Sequence, residues 1–490
     1  MAELILNKDR MLPSDPAAKR IARRLYSAVA DAPIISPHGH VDPELFVSNK
    51  PFSDPTELFI LPDHYVTRLL HGQGVNLEKL RRSDPNTNRR EAWRLFSSHW
   101  KHMLGTPVRY WMEDQLSSVF GIRDQPSEHN ADALFDELSH KLTTPHFLPR
   151  TLLASFNISV LATTDDPADS LTDHQTLATD REMKTRVLPT FRADRYFDPS
   201  AASWVGDLSR LSLVSDTDTA SYEGLIIALS FHRDRFRAMG CTSTDTGVVD
   251  AWAEPLDASE AERIHKVGLL GQVSPNDAAR YRHNMVYRMA EMSAHDGLVM
   301  QLHAGVLRNH HTATLRNFGP DTGHDLPLTT EFTRPLRRLL NDFGTNPNFR
   351  IVLFTVDETT FSRELAPLAG FYPSVFVGAP WWFLDTPDAM RRFRESVTDS
   401  AGFYKTSGFI DDTRALCSIP ARHDLSRRID AGHLATLVSR HQISEDDALM
   451  VARDLVDAIP TETFRLNGTN NSDREDHVMT GGEGELSRPE

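Results

Sequence analysis

The chain has 490 residues, 40% of them hydrophobic and 25% charged, ordinary values for a globular protein with a large buried core. A formal charge of −15 at pH 7 argues against nucleic acid or an anionic membrane as partner, since both select clustered basic residues. With two cysteines (Cys241 and Cys417), no run of about 18 apolar residues and no secretory-type N-terminus, a cytoplasmic setting without disulfides or a membrane span is expected.

Short apolar runs recur along the chain with helical stretches between most of them. The first, residues 33–36, leads into His38-Gly39-His40. Residues 158–163 end at Thr164-Asp165-Asp166, and residues 186–190 end at Phe191-Arg192. Residues 241–244 end at Asp245, residues 298–302 at His303, and residues 351–355 at Val356-Asp357-Glu358. The last two, 375–377 and 407–410, end at Gly378-Ala379-Pro380 and Asp411-Asp412. Continuous apolar runs suit buried parallel strands, which are covered on both faces. Eight such runs predict an α/β fold, a distorted (β/α)8 TIM-type barrel with its site at the strand ends. A doubly wound open sheet shares the alternation, but no Gly-rich phosphate loop follows the first run.

More than 110 residues separate the first two runs, far beyond an ordinary connection. Residues 91–102, 109–120 and 130–142 have helical amphipathic spacing, which predicts a helical insertion over the barrel mouth. The expected organisation is residues 1–43 for the N-terminal segment and first strand, 44–155 for the insertion domain, and 156–466 for the remaining barrel. Residues 467–490, rich in Gly, Asn, Ser and acids, are expected to be a disordered tail.

Chemistry begins at His38 and His40. Residues i and i+2 on a strand face the same way, so two imidazoles can reach one ion, and Gly39 leaves the wall between them uncrowded. Histidines suit zinc and neighbouring divalent metals. Asp412, at the end of the eighth run, supplies a carboxylate. Two histidines, one carboxylate and open positions describe a catalytic rather than a closed structural site. His303 is either a further ligand or a pocket histidine that orients substrate.

Histidines on the first strand with an aspartate on the eighth resemble the amidohydrolase superfamily. The sixth run has no histidine where many hydrolases of that superfamily hold a ligand, and the fourth has no bridging lysine, so one metal is favoured over two. More local matches follow in order. They are Leu61-Pro62-Asp63-His64-Tyr65, Gly105-Thr106-Pro107 with Tyr110-Trp111, and Thr163-Thr164-Asp165-Asp166-Pro167. Then come Val187-Leu188-Pro189-Thr190-Phe191-Arg192, Gln301-Leu302-His303-Ala304-Gly305 with Leu307-Arg308-Asn309, and Asp412-Thr413-Arg414. From about Asp9 to Arg465 the chain resembles the uronate isomerase (glucuronate isomerase) family.

That resemblance implies interconversion of D-glucuronate with D-fructuronate and of D-galacturonate with D-tagaturonate, in hexuronate catabolism. It implies a small hexuronate as substrate and one divalent metal ion, zinc being the first candidate, and it is compatible with a homo-oligomer. It places His38, His40 and Asp412 at the metal, and His64, Tyr65, Arg192 and Arg414 around the substrate. One position departs: Thr246 stands where the family usually has a histidine before Gly247.

Moving a carbonyl from C1 to C2 requires removing the weakly acidic C2 proton and stabilising an enediol(ate) as it forms. A metal can hold the substrate carboxylate and a hydroxyl, and Arg192 or Arg414 can clamp oxygens through paired hydrogen bonds. Tyr65 is a candidate for the proton transfer, together with His64. With an ordinary pKa of about 10, Tyr65 needs a neighbouring cation to act as a base. Asp412 is the alternative base. Trp381-Trp382-Phe383 can wall the pocket, with Trp381 against substrate, and Arg422-His423-Asp424 can buttress the Asp412 loop. The competing activity is a mononuclear metal hydrolase of a sugar-acid lactone or amide.

Overall fold

The computed structural model describes residues 3–81 and 87–467, so the expected tail lies outside the described residues apart from Asn467. Ten strands occur among them. The first five are β1 (Ile34–Ser36), β2 (Ile158–Ala162), β3 (Arg186–Leu188), β4 (Phe191–Arg192) and β5 (Ser243–Val248). The others are β6 (Val299–Ala304), β7 (Val306–Leu307), β8 (Leu326–Pro327), β9 (Ile351–Thr355) and β10 (Val375–Val377).

β1, β2 and β3 form one parallel sheet in that order, and β4, β5, β6, β9 and β10 form a second parallel sheet, also in chain order. β7 and β8 pair as a small antiparallel hairpin. The central strands β6 and β9 are buried along their whole length, as their near-continuous apolar sequences require.

The third predicted run stops short. Residues 186–188 pair with β2, Phe191 and Arg192 beyond the run pair with β5, and the break falls at Pro189, which has no N–H to give a ladder. Residues 163–165 follow the chain across this break. Thr163 N–H donates to Leu188 O at 2.9 Å, Asp165 N–H to Thr190 O at 2.9 Å, and Arg192 N–H to Asp165 O at 2.9 Å. The Asp165 carboxylate closes the stitch by accepting Thr190 N–H at 3.1 Å. Asp165 therefore holds the seam between the two sheets.

The eighth predicted run is not a strand. Residues 407–410 have no regular pairing, and only a single parallel bridge, Val377 with Thr406, joins this segment to β10. Gly408 turns the chain at φ +73°, where an added Cβ would lie 2.9 Å from Pro460 Cδ. Two other runs extend further than expected: β5 continues through Asp245 to Val248, and β6 includes His303.

Helices fill the long connection between β1 and β2. Arg89–Ser98, Pro107–Asp114 and Ala131–Leu142 match the three amphipathic segments, each shorter at one or both ends. Their apolar faces meet: Trp93, Phe96, Trp111, Leu138 and Leu142 are buried in one cluster with Ile158, Leu161 and Val187 of the first sheet. Each such side chain contributes about 1.5–3 kcal/mol by leaving water. The helix His64–Gly72 matters most for function. Asp63 caps it by accepting Tyr65 N–H at 2.9 Å, which fixes His64 and Tyr65 in its first turn. Among the described residues, no helix is long and apolar enough to cross a membrane.

Candidate active site

Strand ends, the capped helix and the β7–β8 region enclose a cavity of about 820 Å³. All nine residues singled out in the sequence line it: His38, His40, His64, Tyr65, Arg192, His303, Trp381, Asp412 and Arg414.

At its floor, Asp412 Oδ1 lies 2.9 Å from His40 Nε2 and 3.3 Å from His38 Nε2. Its other oxygen accepts Trp381 Nε1–H at 2.6 Å. Burial alone would raise the Asp412 pKa, but hydrogen bonds from both imidazoles hold it well below the usual carboxylate range. The residue sits at φ +42°, a left-handed conformation that aspartate tolerates better than most side chains. The segment is tied to the first strand end by His40 N–H donating to Thr413 O at 3.0 Å. Gly39 is not sterically required, since an added Cβ would make ordinary contacts at 3.5 Å.

A second cluster adjoins the first. Asp245 accepts from His303 Nδ1 at 2.8 Å through one oxygen and from Arg192 Nη1 at 3.0 Å through the other. Burial opposes its charge, but Arg192, His303 and His38 outweigh that and drive its pKa far down. His38 is buried, which disfavours its charged form, yet Asp245 and Asp412 raise its pKa above the ordinary value. Burial dominates at His40 and lowers it. Arg192 also pairs with Asp194 at 3.0 Å, and its guanidinium crosses β5 at Gly247, where a Cβ would stand 2.9 Å from Nη2.

Among the described residues, two overlapping triads can hold a metal ion: His38 with His40 and Asp412, and His38 with Asp245 and His303. The residues fit a divalent cation. Imidazole nitrogens and a carboxylate oxygen converge, and among the described residues His38 Nδ1 and His303 Nε2 are buried without a hydrogen-bond partner. Such buried polar atoms are costly unless a ligand completes them.

The opposite wall is made by His64, Tyr65, Arg414 and a group the sequence reading missed. His64 stacks on Tyr65 at 4.9 Å between ring centroids. Burial, aided by Arg414 3.4 Å away, pushes His64 down to about 3, so it is neutral near pH 7. Tyr65 is driven well above 10, mainly by burial. Arg414 donates to Asp321 at 3.0 Å, and Arg308 packs 4.8 Å from the Trp382 ring centroid. Asp321, Arg308 and Asp325 come from the segment flanking β7 and β8, whose sequence has no periodic signal. Asp245 could have been found: it follows the fourth run directly, in the position that marks His303 after the fifth.

Outside the cavity, Glu358 pairs with Arg392 and Arg363 with Glu364. Arg422 and His423 both reach Asp411, next to Asp412, as a buttress would.

Residues 5–461 match the family model described as glucuronate isomerase. The chain belongs to that family. A curated uronate isomerase from Corynebacterium efficiens is 50% identical over 460 residues, covering 94% of this chain and 98% of that protein. The crystal structure of glucuronate isomerase from Caulobacter crescentus superposes with a TM-score of 0.92 at 43% identity, covering 95% of this chain and 98% of the other. Uronate isomerase from Thermotoga maritima gives a TM-score of 0.88 at 28% identity, covering 94% and 99%. The family is therefore matched along nearly the whole of both chains, cavity-lining segments included.

Proposed function

We propose that the protein is a uronate aldose–ketose isomerase. It interconverts D-glucuronate with D-fructuronate and D-galacturonate with D-tagaturonate, by moving a proton from C2 to C1. The observation that carries this reading is the convergence, in one cavity, of an anionic Asp412 on two histidines, the Arg192 cation and a neutral Tyr65.

The two parallel sheets run in chain order and meet at the Asp165 seam, which supports reading them as arcs of one distorted (β/α)8 barrel. The helices of residues 44–155 then form an insertion domain over its mouth. His38, His40 and Asp412 would hold one divalent metal, zinc on ligand chemistry. Arg192 against Asp245 disfavours a second dication at the neighbouring triad. When bound, the metal supplies Lewis acidity and a fixed positive charge for the substrate carboxylate and an adjacent hydroxyl.

The protein groups do the rest. Arg192 and Arg414 bind oxygens of a mono-anionic sugar acid and offset the overall negative charge of the chain. We take Asp412, the anion of the site, as the base and Tyr65, the neutral donor, as the acid. Asp412 takes the C2 proton as the C–H electron pair forms the C1–C2 double bond, and Tyr65 gives its proton to O1. Collapse of the enediol returns a proton to C1 while O2 loses its own, so no proton is gained or lost overall. Neutral His64 orients Tyr65 by stacking, and His303 and Trp381 shape the floor around substrate.

The test is an assay with both uronates on metal-replete protein. Formation of a ketose, with some exchange of the transferred hydrogen for solvent, is the expected result. Absence of ketose with either substrate, or release of acid from a lactone panel without isomerisation, would overturn the reading in favour of a hydrolase.

A further inference from the structure

Tyr65 is surrounded on its far side by groups that do not line the cavity. The Arg422 guanidinium is fully buried and lies 3.6 Å from the Trp111 ring centroid and 5.1 Å from that of Tyr65. Trp111 in turn meets Tyr65 edge-on at 5.5 Å. Arg422 Nη1 donates to Asp385 at 2.8 Å and to the Asp411 carbonyl at 3.2 Å, and Nε donates to Ser418 at 3.1 Å. Its Nη2 is buried with no hydrogen-bond partner among the described residues. Leaving that donor unpaired costs about 1–3 kcal/mol.

We propose that Arg422 is a positioning residue for Tyr65, holding its ring by cation–π contact and stabilising the negative charge that grows on the phenol as it gives up its proton. The inference rests on the role of Tyr65 proposed above. The geometry is suited to it. The Tyr65 backbone is fixed by Asp63, its ring by Trp111 and His64, and Arg422 is the cation facing the ring from below. A ring quadrupole attracts such a cation modestly, whereas a phenolate attracts it strongly, so the contact favours the proton-transfer step over binding. The other charged groups acting on Tyr65 (Asp412, Asp385 and Asp63) all oppose loss of its proton, and Arg422 acts against them. The same guanidinium grips the Asp411 carbonyl, so one side chain joins the supports of the proposed acid and base.

The test uses the full-length, metal-replete protein. Arg422→Met alone strands Asp385, so the informative variant is Arg422→Met with Asp385→Asn, since removing a whole buried pair is much less disruptive than removing one partner. Metal content and melting temperature should stay near those of the parent, with KM within about threefold and kcat lower by roughly 10–100-fold, the usual cost of losing such a support. The primary isotope effect with C2-deuterated uronate should rise. Made in a Tyr65→Phe background, the same pair of substitutions should cost no further activity, because Arg422 acts through the missing hydroxyl. Parental kcat, or losses that multiply with Tyr65→Phe, would overturn the proposal. If the double variant does not fold, Arg422→Lys keeps the ion pair but not the planar stack. It should lower kcat and raise the isotope effect, and unchanged values for both refute the inference. Failure of the parent protein to isomerise either uronate would instead count against the functional reading.

Discussion

The two walls of the cavity are built differently. On the floor, His38, His303, Asp245 and Asp412 sit on or beside strands, are largely buried, and are bound to one another. On the opposite side, Arg414 and Asp321 form a half-exposed pair on loops, with side-chain exposures of 31% and 49%. Strand-mounted groups packed this way are preorganised and change little when substrate arrives. An exposed ion pair is worth only about 0–1 kcal/mol, so a substrate oxygen can replace one partner at small cost. The floor is suited to chemistry and the upper wall to exchange.

The sharpest way to break this contrast is at the floor. Asp412→Asn keeps the shape and the left-handed backbone but removes the anion, and turnover should fall about 10³–10⁴-fold. Elemental analysis shows whether metal is lost with it. Tyr65→Phe should cost about 10²–10³-fold in kcat while metal content stays at the parental level. If turnover survives in Tyr65→Phe, the tyrosine leaves the proton path. Arg192→Lys loses the fork that spans Asp245 and Asp194, and a KM increase of about 10–100-fold is expected from the weakened anion clamp. A small effect at Arg192 would mean that the floor does not anchor the carboxylate. On the upper wall, Asp321→Asn should move KM by no more than about fivefold and leave kcat unchanged. A large fall in kcat there would erase the distinction between the walls.

What could be read from the sequence follows the same division. Strand ends are legible because buried parallel strands leave continuous apolar runs, and this is how His38, His303 and Arg192 came to be placed in one site; Asp412 joins them from an apolar run that is not a strand. The kink at Pro189 and the turn at Gly408 were not legible as breaks, since apolar residues flank both and pairing depends on distant partners. Asp321 was missed, and Arg308 stood only as a motif residue without a role, because their segment has no period, only a fold-dependent position over His64 and Trp382. Arg422 was read as support for the Asp412 loop, which it is; its contact with Tyr65 joins segments 357 residues apart and leaves no local trace.

The Asp165 stitch makes the mechanical integrity of the molecule depend on a proton. Burial pushes this carboxyl from 3.8 up to about 7. Between roughly pH 4 and 7 the folded protein therefore keeps a proton that the unfolded chain has released, and stability drains away as pH rises through that window. Above it the cost is on the order of 1–4 kcal/mol. Asparagine imitates the protonated form and can still accept from Thr163 and Thr190 through its amide oxygen. In urea titrations, Asp165→Asn should unfold at higher denaturant than the parent at pH 8 and at the same denaturant at pH 4. An equal shift at both values would remove the proton from the account. Alkaline handling would then loosen the join between the sheets before it touched the active-site floor, and a mildly acidic buffer would be the better one for keeping the enzyme intact.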